Sequence, residues 1–188
     1  MNRDEALVLA ALHAGAAKAC IIPDENVILN RTFYDICASN SCGRFGKCWM
    51  CPPDIGKIDD LMARVRGYKF GLLYQTIGTL EDSFDIEGME EAAKRHAQVS
   101  QDIDSAVKPL LSGSYFHLSC GGCNLCERCA KLDELPCRFP EKALMPMEGA
   151  GIDVYNTTKD TPLKYINGAN TVTYFGLVLF EERETCRG

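Results

Sequence analysis

The sequence predicts an α/β or α+β fold: a small mixed sheet, helices packed on it, and two cysteine-rich cluster-binding loops at strand ends. Three observations lead there. Tyr68–Ile77, Tyr115–Ser119 and Thr171–Phe180 are short runs rich in aromatic and branched aliphatic residues, the composition of strands. Residues 58–66 and 86–111 place apolar side chains at three- and four-residue steps, the period of a helix with one buried face. Nine of the eleven cysteines fall in two groups between these elements, at 37–51 and 120–137.

In chain order, Asn2 caps a helix expected over residues 3–18, with Asp4 and Glu5 in its first turn and Leu7, Ala10, Ala11 and Ala14 on its apolar face. Acidic residues at the start, and His13 and Lys18 within, mark it as a helix and not a secretory leader. Ala19–Ile22 is a short apolar strand, turned by Pro23 and Asp24, and Val27–Leu29 suggests another. Ile58, Leu61, Met62 and Val65 line a short helix. Tyr68–Ile77 is a strand stopped by Gly78. The helix at 86–111 buries Ile86, Met89, Ala93, His96, Ile103, Val107 and Leu110, and Pro109 and Gly113 end it. His96 reads as a core histidine. Tyr115–Ser119 completes a βαβ-like unit and carries His117, a partly exposed strand histidine or a proton carrier. Gly149, Ala150 and Gly151 permit close backbone packing near a short helix; Met147, Glu148 and Asp153 beside them are functional candidates, Asp153 equally a helix cap. Thr171–Phe180 is apolar on both faces, as a buried strand is.

The later cysteine group is the more specific. Cys120, Cys123, Cys126 and Cys129 recur every third residue; Cys137 follows after seven more, with Pro140 beyond it. Three thiolates at this spacing wrap one side of a cubane while a remote cysteine near a proline closes it, as in bacterial ferredoxins. Five thiols compete for four places; Cys123, Cys126, Cys129 and Cys137 form the preferred set and Cys120 is the spare. The earlier group, Cys37, Cys42, Cys48 and Cys51 followed by Pro52 and Pro53, fits a second cluster. Gly43 and Gly46 allow backbone N–H groups near sulfur, Trp49 either shields the cluster or packs in the core, and Arg44 and Lys47 face solvent. Zinc and a disulfide framework are the competing readings; zinc sites use separated pairs, and disulfides belong to oxidising compartments.

The chain has 188 residues, enough for one domain spanning 1–188 with its cluster loops at 37–53 and 120–140. A formal net charge of −6 argues against nucleic acid as partner. No run of about 18 apolar residues provides a membrane span. Cysteine-rich metal binding points to the cytoplasm. There is no phosphate-binding loop, no G-x-G-x-x-G and no C-x3-C-x2-C triplet. Cys186, in a charged tail, reads as a spare thiol.

With these motifs together, C-x4-C-G-R-F-G-K-C-W-M-C-P-P at 37–53, C-N-L-C-E-R-C with C-R-F-P at 123–140, and G-I-D-V at 151–154, the chain resembles a family of predicted metal-binding proteins of anaerobic bacteria and archaea, catalogued as a domain of unknown function. The resemblance covers most of the chain. It implies ligation of iron–sulfur or another metal by Cys37, Cys42, Cys48, Cys51, Cys123, Cys126, Cys129 and Cys137. Pro146 stands where the pattern has a serine before the Met–Glu pair. The expected function is electron transfer through two 4Fe–4S clusters to a redox partner protein. An enzyme with an open cluster iron acting as Lewis acid (dehydration, reduction or sulfur removal) and a zinc-stabilised interaction module are the alternatives. Assembly as a homo-oligomer is left open.

Overall fold

A computed structural model describes residues 1–181. Its first helix, α1 (Arg3–His13), opens on a capping box: the Glu5 N–H donates to the Asn2 side chain at 2.8 Å, and the Asn2 N–H donates to the Glu5 carboxylate at 3.1 Å. The helix stops five residues before the expected end. Gly15 adopts φ +107°, and Lys18 already pairs with Gln75 in the sheet. Reversal of the chain into an edge strand ends the helix, although the alanines would have continued it.

Five strands form one sheet in the order β1 (Lys18–Pro23), β2 (Phe70–Thr79), β5 (Thr171–Phe180), β3 (Tyr115–Ser119), β4 (Met145–Pro146). All neighbours are antiparallel except β3 and β4, so the fold is mixed α+β. β2 and β3 both oppose β5 and therefore run parallel with β5 between them; the helix α4 (Ile86–Val107) makes the crossover, a split βαβ unit. The helix is shorter than the expected 86–111: residues Lys108–Leu110, around Pro109, tighten into a 3-10 turn. β2 runs through Gly78 to Thr79, because Gly78 is paired with Val172. Val27–Leu29 makes one isolated bridge, Leu29 to Ile152, and no strand.

The sheet is covered on both faces, and β2 and β5 are apolar for that reason. On one face α1 and α4 bury Leu7, Leu72, Ile103, Val107 and Val178. On the other, α3 (Ile58–Arg66) and the segment from Met147 to Leu163 bury Leu61, Val65, Leu73, Met147, Ile152 and Leu177. β5 is fully buried only from Phe175 onward; its first four residues are half-buried. Asp153 is a cap: its carboxylate accepts from the Asn156 N–H at 2.9 Å and starts α5 (Val154–Thr158). Among the described residues no helix is long and apolar enough to cross a membrane.

Candidate metal centre

Only the later cysteine group leaves directly from a strand end; the earlier one, expected at a strand end too, follows a helix. The earlier one begins on α2 (Thr32–Ala38), a helix without a buried residue that carries Cys37 in its last turn. The loop after it is closed by local bonds: Phe45 N–H to the Asn40 side chain at 3.0 Å, and Gly46 N–H to the Pro52 carbonyl at 2.9 Å. A tight turn, Cys51 N–H to the Cys48 carbonyl at 3.0 Å, brings those two sulfurs into a thiol–thiol hydrogen bond. The later group starts where β3 ends. Ser119 accepts the Met147 N–H at 2.8 Å, which ties β4 alongside, while Cys120 to Cys129 loop outward.

The two loops interlock. Arg44, expected in solvent, donates Nη1 to the Cys123 carbonyl at 3.3 Å and Nη2 to the Asn124 side chain at 2.7 Å. Gly122 makes room for it, since a Cβ there would lie 2.3 Å from Arg44 Cδ. Trp49 donates Nε1 to the Leu135 carbonyl at 2.9 Å, so it pins the earlier loop to the later one. Lys131 stacks over the Trp49 ring at 4.2 Å and pairs with Asp54.

Two cavities result. One is bordered by Cys123, Cys126, Cys129 and Cys137 from the later group, and by Cys48 from the earlier; its free volume is about 20 Å³. The other is bordered by Cys37, Cys42 and Cys51, with Arg44 and Glu148, and is about 480 Å³. Cys48 and Cys51 stand on opposite sides of the partition. Among the described residues, no three His, Cys, Asp or Glu side chains converge closely enough to hold a single metal ion.

The sulfurs differ in acidity. The hydrogen bond from Cys51 holds the Cys48 thiol down, to about 6; burial opposes this, while the Met50 and Cys123 N–H groups and Arg44 assist. The same bond, then burial, pushes Cys51 up. Burial raises Cys37, with Glu148 and Cys42 adding to it. Burial raises Cys123 as well. Thiolate ligands must be deprotonated, so metal binding is coupled to proton release. The donor set is soft sulfur, which suits zinc or iron–sulfur groups over hard cations.

Cys120 lies outside both cysteine cavities. It borders a third, of about 320 Å³, with Glu148, Tyr165 and Tyr174, and burial followed by the Glu148 charge pushes its thiol up to about 12. Behind it runs a buried polar chain that the sequence did not disclose. His117 Nδ1 meets Asp104 at 3.0 Å, and His117 Nε2 meets the Tyr74 hydroxyl at 2.8 Å. Tyr74 donates to Ser100 at 2.8 Å, and Ser100 meets Ser119 at 3.1 Å. Tyr74 passes beneath Gly176, where a Cβ would lie 2.1 Å from its ring. His117 is therefore buried, not partly exposed. His96 is a core histidine: Nδ1 meets Thr76 Oγ1 at 2.8 Å, Nε2 has no partner, and burial pulls its pKa down to about 4. Cys20 is a half-buried thiol against the core, raised by burial to about 11. Met147 is fully buried, and Cys186 lies outside the described residues.

A family model described as "Predicted metal-binding protein (DUF2284)" matches residues 20–180. Comparison with curated proteins and with solved structures gives no match.

Proposed function

Because the chain belongs to this family of predicted metal-binding proteins, we propose that it carries two 4Fe–4S clusters and transfers electrons between them and a redox partner. The observation that supports this most is the convergence of eight thiols on two adjoining cavities joined through Cys48 and Cys51. Cys123, Cys126, Cys129 and Cys137 would hold one cluster, and the earlier cysteines the other. A cubane spreads its ligands over four corners, wider apart than a single ion does, so sulfurs not drawn to one point suit it; the later sulfurs, around about 20 Å³, would draw apart to take one. Each such cluster supplies one-electron chemistry at a potential set by charge, hydrogen bonds to sulfur and exposure.

The chain's own residues define the path and the exits. Arg44 and Trp49 hold the two loops against each other, which keeps the sulfur groups in short electron-transfer range. The N–H groups of Met50 and Cys123 donate toward Cys48 and stabilise negative charge at the partition. Leu132, Leu135 and Phe139 are exposed apolar residues in the later loop, a contact surface for a redox partner. The acidic surface of the chain favours a partner with a basic patch.

Purification without oxygen, then metal and sulfide analysis and reductive titration, tests this. The expected result is about eight iron and eight sulfide per chain, the content of two such clusters, both reduced reversibly. Zinc without sulfide would replace this reading with a zinc-stabilised module.

A further inference from the structure

Spacing assigns four thiols to each metal group, but the fold divides them differently. Cys48 borders the cavity of the later group, whereas the other cavity is bordered by Cys37, Cys42 and Cys51. Its sulfur bonds the Cys51 thiol and also accepts from the Cys123 N–H of the later group. The later cavity therefore has five candidate thiols and the earlier only three.

Glu148 occupies the fourth side of the earlier cavity. Its placement is dictated by the backbone. β4 pairs with the end of β3, Met147 is fully buried and donates its N–H to Ser119, and the 3-10 turn Glu148–Ala150 follows at once. The turn is closed by the Ala150 and Ile152 N–H groups, both bonding the Met147 carbonyl, at 3.1 and 3.0 Å. Buried Ala150 and Ile152 anchor it from the far side. Glu148 thus borders both the cavity of Cys37 and that of Cys120, and among the described residues no cation pairs with it. A carboxylate half-withdrawn from water without a counter-ion is costly unless it has a positively charged partner to meet.

We propose that Glu148 is the fourth protein donor of the earlier metal group, with Cys37, Cys42 and Cys51, and that Cys48 is not a ligand of that group. The proposal rests on the iron–sulfur reading. Its chemical consequence is an asymmetric site. Three soft thiolates hold three corners firmly; a hard carboxylate oxygen holds the fourth iron less firmly and exchanges more readily. The cavity around that corner is about 480 Å³, against about 20 Å³ for the later one. Arg44 lines it and supplies positive charge. Such a corner would take a small anion in exchange for Glu148.

Mössbauer and EPR spectroscopy of the full chain, loaded without oxygen using isotopically enriched iron, test this, with cyanide as the small anionic probe. The wild-type chain is expected to show one iron site distinct from the others and a spectral change on adding cyanide. Glu148→Cys should keep the full iron content, lose the distinct site and lose the cyanide response. Glu148→Ala should lose about one iron per chain and show the signal of a three-iron cluster in the oxidised state. Cys48→Ser should retain the distinct site. The assignment is overturned if Glu148→Ala and Glu148→Gln both keep an unchanged spectrum and iron count, or if Cys48→Ser strips iron from the earlier group. A wild-type chain without sulfide would overturn the iron–sulfur reading itself, and that failure is visible before any variant is made.

Discussion

The two cysteine cavities are built in opposite ways. The later one takes four of its five thiols from a single run, Cys123 to Cys137, and closes around little free space. The earlier one gathers Cys37 from the end of a helix, Cys42 and Cys51 from a loop, and Glu148 from a turn roughly a hundred residues further on. A site made from one contiguous run is tight because the chain itself sets the donor spacing. A site assembled across the fold leaves room and admits a different donor.

The largest expected effect tests the tight site. Cys126→Ala should remove one whole cluster, about half of the iron, while Cys120→Ala should remove none; iron and sulfide counts distinguish them. Equal losses would erase the distinction between ligand and spare thiol.

The next effect lies outside both cavities and separates folding from metal loading. His96 titrates near 6.5 when unfolded and at about 4 when folded, because burial disfavours its charged form. Below pH 6.5 the unfolded chain binds a proton that the folded chain refuses, so stability is present above pH 6.5 and falls as the pH drops toward 4. The loss amounts to about 3 kcal/mol. It should appear in denaturant titrations of the wild-type chain and be largely absent from His96→Gln, whatever the state of either cavity.

Arg44→Ala tests the joint between the cavities. It removes two hydrogen bonds from a charged donor and should cost about 2 kcal/mol. Trp49 is the sole tryptophan, so its fluorescence reports directly on whether the loops separate. Gly122→Ala should act in the same direction by displacing the guanidinium. The smallest effect is Tyr74→Phe, about 1 kcal/mol, from the broken chain between His117 and Ser100; both cavities should keep their metal.

These contrasts also mark what the sequence discloses. The later cysteines are legible because their spacing is local. α3 and the strands Tyr115–Ser119 and Thr171–Phe180 are legible because their hydrophobic patterns meet covered faces of the sheet. α2 is not: it spans only seven residues, too short for Phe33, Ile36 and Cys37 at helical spacing to announce it, and none of them is buried. The Arg44 and Trp49 contacts are tertiary, and a charged or aromatic residue in a loop carries no sign of its partner some eighty residues away. The polar chain around Tyr74 escaped because Ser100 and His117 sit at positions that periodicity reserves for apolar side chains. The Met–Glu pair at 147 and 148 was the one signal for the donor side of the earlier cavity, and only the pairing of β4 with β3 gives it meaning.

An anomalous difference map at the iron edge, from crystals grown without oxygen, tests the central claim most directly. The account predicts two compact multi-iron peaks, one among Cys123, Cys126, Cys129 and Cys137, the other among Cys37, Cys42, Cys51 and Glu148. Isolated zinc ions or sulfur–sulfur bonds at those positions would contradict it.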